Sequence, residues 1–174
     1  MENYKEIMNR IKTFIFDVDG VLTDGTVTIM PDGDQLRVMN TRDGYAMKQA
    51  MKMGYRVCII TGGASVSVRK RMHYLGVYDV YLASSDKVDS LNDYAACYDL
   101  SKNEMAYMGD DLPDYFVMKE VALAACPNDA ASDIKEISHY ISPVEGGKGC
   151  ARELIEQVMR IQGTWQTDSS IESH

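Results

Sequence analysis

The sequence predicts an α/β fold with a doubly wound, mostly parallel sheet of the Rossmann type. Short apolar runs, which are typical of buried strands, alternate along the chain with amphipathic helical segments. Such alternation indicates β-α-β units, and the strands of these units lie parallel in one sheet. The apolar runs lie at 13–16, 56–60, 77–83, 104–109, 122–126 and 139–142.

The segments between these runs have the residue spacing of amphipathic helices. In the first of them, Ala46, Met47, Ala50 and Met51 lie on one face, and Gly54 is placed to end the helix. The predicted helical segments are 43–54, 65–76, 86–100, 111–121 and 150–163.

One segment, 26–40, departs from the alternation of strands and helices. Its side chains alternate with period two on each side of Asp32-Gly33, a dipeptide that favours a two-residue hairpin turn. We therefore expect a β-hairpin that protrudes between the first strand and the first helix. No linker or repeat divides the 174 residues, so a single domain over 1–174 is expected. The polar segment 164–174 is predicted to be a mobile tail.

Composition and charge exclude several classes of function. The net charge is −8, which is unfavourable for binding nucleic acid through a general basic field. No apolar run approaches the length needed to span a bilayer, and the N-terminal residues lack the apolar core of a signal peptide. The four cysteines form no C-x-x-C pair and are expected to be reduced thiols. We expect a cytoplasmic protein without nucleic-acid or membrane partners.

Polar side chains follow four of the predicted strands, where ligands bind in a doubly wound sheet. Asp17 and Asp19 follow the first strand, Thr61 the second, Lys87 lies shortly after the third, and Asp110 follows the fourth. Carboxylates that cluster repel each other unless a cation lies among them, and carboxylate oxygens suit Mg²⁺. A lone D-x-D is more often a solvated turn or a helix cap. The matching residues at the other strand ends favour a metal-dependent site.

Four motifs in this order identify a family resemblance. "DVDGVLTDG", "TGG", "DK" and "GDDLPD" resemble the four motifs of the haloacid dehalogenase superfamily of phosphatases. With "NTRDGYAMK" and "GGKGCARE", the resemblance extends over about residues 12–163 to a capless subfamily. That subfamily acts on 3-deoxy-D-manno-octulosonate 8-phosphate in lipopolysaccharide sugar synthesis. The resemblance implies a haloacid dehalogenase-like fold and a Mg²⁺-dependent phosphomonoesterase.

The resemblance also implies a role for each motif residue. Asp17 would be the nucleophile that forms an aspartyl-phosphate. Asp19 would protonate the leaving alkoxide and later accept a proton from the hydrolytic water. Thr61 would donate a hydrogen bond to the phosphoryl group, and Lys87 would neutralise its charge. Asp17, Asp110 and the main-chain carbonyl of Asp19 would bind Mg²⁺.

Two further acidic residues are implied to support this set. Asp111 and Asp114 would hold Lys87 or metal-bound waters. For Asp114, an exposed acid on a helix surface is an equal alternative.

The resemblance places a second group of residues against the substrate. Arg42 is available for the carboxylate of a sugar acid, and Arg71 matches an arginine on the substrate side. Gly63 is a departure, because many family members have an arginine there that contacts the substrate. The implied substrate-binding residues are Asp19, Asn40, Thr41, Arg42, Asp43, Gly44, Gly62, Arg71 and Lys87.

The segments between the motifs are too short to hold a cap domain. The resemblance therefore implies a homotetramer in which hairpins associate and neighbouring chains wall the site. The apolar hairpin residues Val27, Ile29, Leu36 and Val38 would form the contact, unless they pack on the core of their own chain.

Two alternatives to the octulosonate ester phosphatase stay open. The same chemistry could act on another keto-deoxy sugar acid phosphate, such as a nine-carbon acid 9-phosphate. A relative with that substrate has a glutamate where this chain has Gly63, which argues against it. The other alternative is a non-catalytic oligomeric binding module. The presence of the nucleophile, acid, threonine, lysine and metal ligands disfavours it.

Overall fold

The computed structural model describes residues 2–165 and confirms the α/β fold class. Six parallel strands form the main sheet in the order β5-β4-β1-β6-β7-β8, and β2 and β3 form a separate antiparallel pair. The strands are β1 (Thr13–Phe16), β2 (Thr28–Ile29), β3 (Gln35–Leu36), β4 (Arg56–Ile60), β5 (Asp79–Tyr81), β6 (Met105–Met108), β7 (Leu123–Cys126) and β8 (Tyr140–Ile141).

The five predicted helical segments all contain helix, although 111–121 is divided. It consists of a 3₁₀ turn, Leu112–Asp114, followed by α5. Two helices, α1 and α6, were not predicted, because five or six residues are too few to show a helical period. The helices are α1 (Tyr4–Met8), α2 (Thr41–Lys52), α3 (Val66–Tyr74), α4 (Lys87–Tyr98), α5 (Tyr115–Lys119), α6 (Ser132–Ile137) and α7 (Cys150–Ile161).

The sheet is covered on both faces, which explains the continuous apolar runs of its central strands. In β1, Phe14 and Phe16 pack among α1, α2, α3 and α7, whereas Ile15 packs on the opposite face with residues of α4, α5 and α6. All three side chains are fully buried. Each such burial contributes about 1.5–3 kcal/mol, so β1 is firmly anchored between two helical layers.

The chain reverses its direction of winding at β1. It proceeds outward from β1 to β4 and β5, and then returns to place β6 on the other side of β1. Phe16 is level with Ile59 of β4 and with Met108 of β6. The residues that follow these three strands therefore emerge at the same edge, where the loops diverge and leave a crevice.

The hairpin forms as expected, but its turn differs from the prediction. The N–H of Gly33 donates to the carbonyl of Met30, and the N–H of Met30 donates to the carbonyl of Asp34. The loop thus has three residues, Pro31-Asp32-Gly33, and the predicted two-residue turn is wrong. Pro31 sets the first corner of the turn, and Gly33, with φ +86°, takes the left-handed position that follows it.

Four apolar side chains of the hairpin are exposed and do not pack on the core of their own chain, whereas Met39 at its end does. Val27, Ile29, Leu36 and Val38 are 38%, 62%, 49% and 86% exposed. A large exposed apolar set on a protruding element is typical of an interaction surface.

The first two residues of the predicted tail contact the helices beside them. The N–H of Thr164 donates to the carbonyl of Met159, and Trp165 packs against Tyr45 and the guanidinium of Arg152. Thr164 and Trp165 thus contact α2 and α7, and the mobility of the tail stays a prediction. The rest of that segment, 166–174, lies outside the described residues.

Candidate active site

The loop after β1 is shaped by its contact with a second acidic residue. Asp17 ends the strand, and its Oδ1 accepts a hydrogen bond of 2.7 Å from the N–H of Val18. The chain then makes one wide turn, Val18–Leu22, in which Gly20 has φ +87°. A Cβ on Gly20 would lie 1.9 Å from Oδ2 of Asp110, so only glycine lets this loop pass so close to that carboxylate.

Lys87 joins the nucleophile candidate to a buried carboxylate. Its Nζ lies 3.0 Å from Oδ2 of Asp17 and 2.7 Å from Oδ1 of Asp114. Asp114 is fully buried and also accepts hydrogen bonds from the hydroxyl of Tyr107 and the N–H of Asp110. Asp114 therefore orients the lysine, and the alternative of an exposed helix-surface acid is wrong. Tyr107, hidden inside a strand, was missed in the sequence.

Burial and mutual repulsion make it unfavourable for the carboxyl groups of the site to be ionised together. The pKa of Asp17 and that of Asp110 are each raised to about 7, first by burial and then by the charge of Asp114. Lys87 opposes the rise in both cases but does not cancel it. A cation between Asp17 and Asp110 would stabilise both carboxylates.

The donor set fits a small hard cation. Asp17, Asp110 and Asp114 each offer one oxygen, and these atoms lie within 4.8 Å of one another. Because the oxygens of Asp114 are bound to Lys87, Tyr107 and the N–H of Asp110, two carboxylates remain for a metal. Few protein carboxylates and several waters are the usual coordination of Mg²⁺.

Asp111 lies at the mouth of the site rather than beneath it. It is exposed, and its Oδ1 accepts from the N–H of Leu112, so it begins the 3₁₀ turn. It does not hold Lys87, so that part of the prediction is wrong. A role with metal-bound waters stays a prediction.

The loop after β4 supplies hydrogen-bond donors opposite Asp17. Thr61 is buried, and its Oγ1 accepts from the N–H of Gly63, which leaves the hydroxyl hydrogen directed elsewhere. The strand-end residues together line a cavity of about 440 Å³. Its lining includes Asp17, Asp19, Thr61, Gly62, Gly63, Lys87, Asp110, Asp111 and Asp114.

The hairpin adds a cation that the sequence reading missed. Arg37 forms a two-pronged ion pair with Asp19, with Nε 2.6 Å from Oδ1 and Nη2 3.0 Å from Oδ2. The signal was present in the alternation of the hairpin. Leu36 and Val38 face outward, so the residue between them faces the site.

None of the predicted substrate residues at the start of α2 or on α3 lines this cavity. Asn40 caps α2 by accepting from the N–H of Arg42. Thr41 and Arg71 line a neighbouring cavity of about 390 Å³ beside the hairpin. Their roles, and those of Arg42 and Gly44, stay predictions.

Asp43 is buried, lines neither of these two cavities, and is hydrogen-bonded to α7. Its Oδ1 accepts a 2.8 Å hydrogen bond from the N–H of Arg152 in the first turn of α7. Its Oδ2 has no partner among the described residues, and burial raises its pKa to about 6. The structure thus gives Asp43 a contact between helices, and its predicted contact with substrate finds no support in this chain.

A glycine loop before α7 supports the catalytic loop from behind. The N–H of Gly147 donates to the carbonyl of Val21. A Cβ on Gly146 would lie 2.0 Å from the main-chain oxygen of Gly20, and one on Gly147 would lie 2.5 Å from the nitrogen of Asp24. This close backbone contact explains the paired glycines of "EGGKG".

Comparison with known proteins agrees with this geometry. A haloacid dehalogenase-like hydrolase model matches residues 73–154. The chain is 34% identical over 153 residues to the 3-deoxy-D-manno-octulosonate 8-phosphate phosphatase KdsC of Salmonella typhi, covering 88% of this chain and 81% of that protein. The chain belongs to the KdsC family. As a KdsC-family member it is a phosphatase that hydrolyses phosphomonoesters, as the motifs predicted.

Solved structures of the KdsC family have the same fold. The Yersinia pestis phosphatase superposes with a TM-score of 0.91 at 31% identity, covering 94% of this chain and 88% of that one. The Moraxella catarrhalis phosphatase, solved with magnesium ion, phosphate ion and a KDO molecule, gives 0.89 at 28% identity, covering 94% of each chain. Within residues 2–165, no helix has both the length and the apolar character to cross a membrane.

Proposed function

We propose that this chain hydrolyses 3-deoxy-D-manno-octulosonate 8-phosphate to the free sugar acid and phosphate. The observation that carries the proposal is the arrangement of Asp17, Lys87 and Asp110 at the reversal point of the sheet. The names of the KdsC relatives, and the KDO molecule in the Moraxella catarrhalis structure, support the choice of substrate.

In the first step, a carboxylate oxygen of Asp17 attacks phosphorus and the bond to the sugar oxygen breaks. Asp19, two residues further on, donates a proton to the leaving alkoxide. Lys87 and the hydroxyl of Thr61 hold the phosphoryl oxygens, and Asp114 keeps the lysine in place. Placement and neutralisation of charge supply most of the rate enhancement in such transfers.

In the second step, water attacks the phosphorus of the aspartyl-phosphate. Asp19, now a carboxylate, accepts a proton from this water, and the carboxylate of Asp17 is regenerated as phosphate leaves. One residue thus serves as acid and then as base, so each turnover ends in the starting protonation state.

Asp17, Asp110 and the main-chain carbonyl of Asp19 would hold Mg²⁺. When bound, the ion neutralises charge on the phosphoryl oxygens and on the two carboxylates. The raised pKa of Asp17 and Asp110 supports this assignment, because burial and the charge of Asp114 disfavour the ionised carboxylates, which a bound cation would stabilise.

The proposal includes a homotetramer built on the hairpins and a cytoplasmic location. The exposure of Ile29 and Val38 supports the first. Three buried and unpaired cysteines, Cys58, Cys126 and Cys150, are consistent with a reducing compartment and support the second. Sedimentation of the protein and of Val38→Glu tests the tetramer. We expect the variant to dissociate, and a monomeric starting protein would contradict the assembly.

The test of the activity is phosphate release from a panel of sugar phosphates, with Mg²⁺ and with chelator. Asp17→Asn should abolish turnover, while Asp133→Asn, the same change on the exposed surface of α6, should keep most of it. A quenched reaction should show one phosphoryl group on the peptide that contains Asp17. Preference for a nine-carbon acid 9-phosphate would change the substrate and keep the mechanism. Absence of turnover in folded, Mg²⁺-loaded protein would favour the binding-module alternative.

A further inference from the structure

Arg37 is held as a fork against Asp19, at the boundary between the active-site cavity, which Asp19 lines, and the neighbouring cavity, which Arg37 lines. Its Nη1 donates to the carbonyl of Gln35, and its Nη2 donates to Oε1 of the same residue. The remaining edge, formed by Nε and Nη2, contacts both oxygens of Asp19. Although the hairpin around it is exposed, the side chain of Arg37 is only 7% exposed. This is a buried, preorganised carboxylate-binding edge.

The glycine at position 63 leaves room for this arginine. A Cβ on Gly63 would lie 3.4 Å from Nη2 of Arg37 and 3.7 Å from Oδ2 of Asp19. A longer side chain would enter the space that the ion pair occupies. Gly63 and Arg37 are therefore complementary, and the guanidinium reaches this corner of the cavity from the hairpin instead of from the loop after β4.

Lys87, the other cation of the site, already forms ion pairs with two carboxylates. Lys87 lies between Asp17 and Asp114, with its side chain 6% exposed. An acidic sugar phosphate brings a carboxylate as well as a phosphate. Among the residues that line the cavity or contact its lining, Arg37 is the cation placed to receive that second charge.

We propose that Arg37 binds the carboxylate of the substrate and thereby releases Asp19 for its work on the leaving oxygen. The inference rests on the proposed function in that it assumes an acidic sugar phosphate. In the free protein the carboxylate of Asp19 occupies the fork. A substrate carboxylate replaces it with equal charge and geometry, so the ion pair of Arg37 is conserved. The released Asp19 takes up a proton from solvent and can then donate it to the leaving oxygen. An ester without a carboxylate must break the pair without replacement, and the enzyme discriminates against it.

The experiment compares two esters that differ only in the acid group, 6-phosphogluconate and sorbitol 6-phosphate, beside the octulosonate ester. Arg37→Gln should lower kcat/KM for the carboxylate-bearing esters about 10- to 100-fold, mainly through KM. Turnover of sorbitol 6-phosphate should not fall and should rise, because in Arg37→Gln this ester no longer has to break the ion pair of Asp19. Arg37→Lys keeps the charge but loses the fork, and should recover only part of the preference.

A matched control removes the same charge elsewhere. Lys70→Gln lies on the exposed face of α3 and should leave the preference for the acidic ester intact. Binding of both six-carbon esters to Asp17→Asn, measured by calorimetry with and without Arg37→Gln, gives a second reading that does not depend on turnover. The acidic ester should lose affinity when Arg37 is changed, and the sorbitol ester should not.

Two outcomes would overturn the inference. An equal fall in kcat for both esters would make Arg37 a positioning residue for Asp19 alone, and unchanged binding of both would remove it from the site. Failure of the proposed function is distinguishable from either. If the octulosonate ester is not hydrolysed but the preference for 6-phosphogluconate disappears in Arg37→Gln, the substrate assignment fails and the role of Arg37 stands.

Discussion

Replacement of Asp110 by asparagine should stabilise the metal-free protein while it destroys the metal site. Asp110 lies beside Asp17, Asp111 and Asp114, and burial together with these charges raises its pKa to about 7. A carboxyl whose pKa is higher in the folded than in the unfolded chain stabilises the fold when protonated. That contribution is complete below about pH 4 and is lost as the pH rises to about 7. The wild type therefore carries the full penalty at pH 8.

The size of the effect follows from the pKa. The pKa of Asp110 rises from 3.8 to about 7, and each pH unit corresponds to about 1.4 kcal/mol, which gives an upper limit of about 4 kcal/mol. Partial solvent screening, and the relaxation of Asp17 when one charge is removed, reduce this to about 2 kcal/mol. For a chain of this size that is about 4–8 °C in Tm.

The assay is thermal unfolding in chelator at several pH values. Asp110→Asn should gain most above pH 7, about half as much at pH 5.5, and little near pH 4. Asp133→Asn is the matched control, because Asp133 is exposed on α6 and is not one of the charges that raise the pKa of Asp110. A loss of stability in Asp110→Asn at pH 8, or a gain that does not vary with pH, would refute the repulsion argument.

Further measurements test other parts of the molecule. Mg²⁺ should bind about 10- to 100-fold more tightly at pH 8 than at pH 6, because Asp17 and Asp110 both have a pKa of about 7 and must lose their protons. Calorimetry should show the release of protons on binding, and an affinity independent of pH would contradict the prediction. Gly146→Ala should lower the free energy of unfolding by about 3 kcal/mol in denaturant and reduce kcat, because its Cβ meets the main-chain oxygen of Gly20. Gly54→Ala, with open space and φ +91°, is the control and should cost only about 1 kcal/mol with kcat unchanged. Asp43→Asn should stabilise the protein by about 1–2 kcal/mol above pH 6 and by less toward pH 4. Asparagine can still accept from the N–H of Arg152, so an equal effect at both pH values would show that burial of charge is not the cause.

The features that the sequence predicted well are those that local pattern controls. Buried parallel strands read as apolar runs, and the residues directly after them must emerge at one edge of the sheet. The sequence therefore predicted that Asp17, Thr61 and Asp110 lie close together, and the structure places all three around one cavity. The glycine-terminated helices were equally visible, because their period extends over several turns.

The features that were missed depend on contacts between distant segments. Nothing near Arg37 shows that its partner is Asp19, since the pair forms only when the hairpin folds over the strand ends. In the sequence, Tyr107 is indistinguishable from other core residues of a strand, and only the fold brings its hydroxyl to Asp114. The predicted length of the hairpin turn was wrong for a different reason. Pro31, before Asp32-Gly33, favours a longer loop than that dipeptide alone would form.

The glycine loop before α7 has a consequence for synthesis of the protein. Every catalytic candidate lies in the first two thirds of the chain, but the loop that carries Asp17 is supported by Gly146 and Gly147, which the ribosome adds much later. A nascent chain that has passed Asp110 contains all of the reactive groups and still lacks the backbone that holds the first of them in position. Folding of the active site therefore waits for a contact between segments distant in sequence. Prematurely ended chains would not release an active phosphatase into a cell full of phosphate esters.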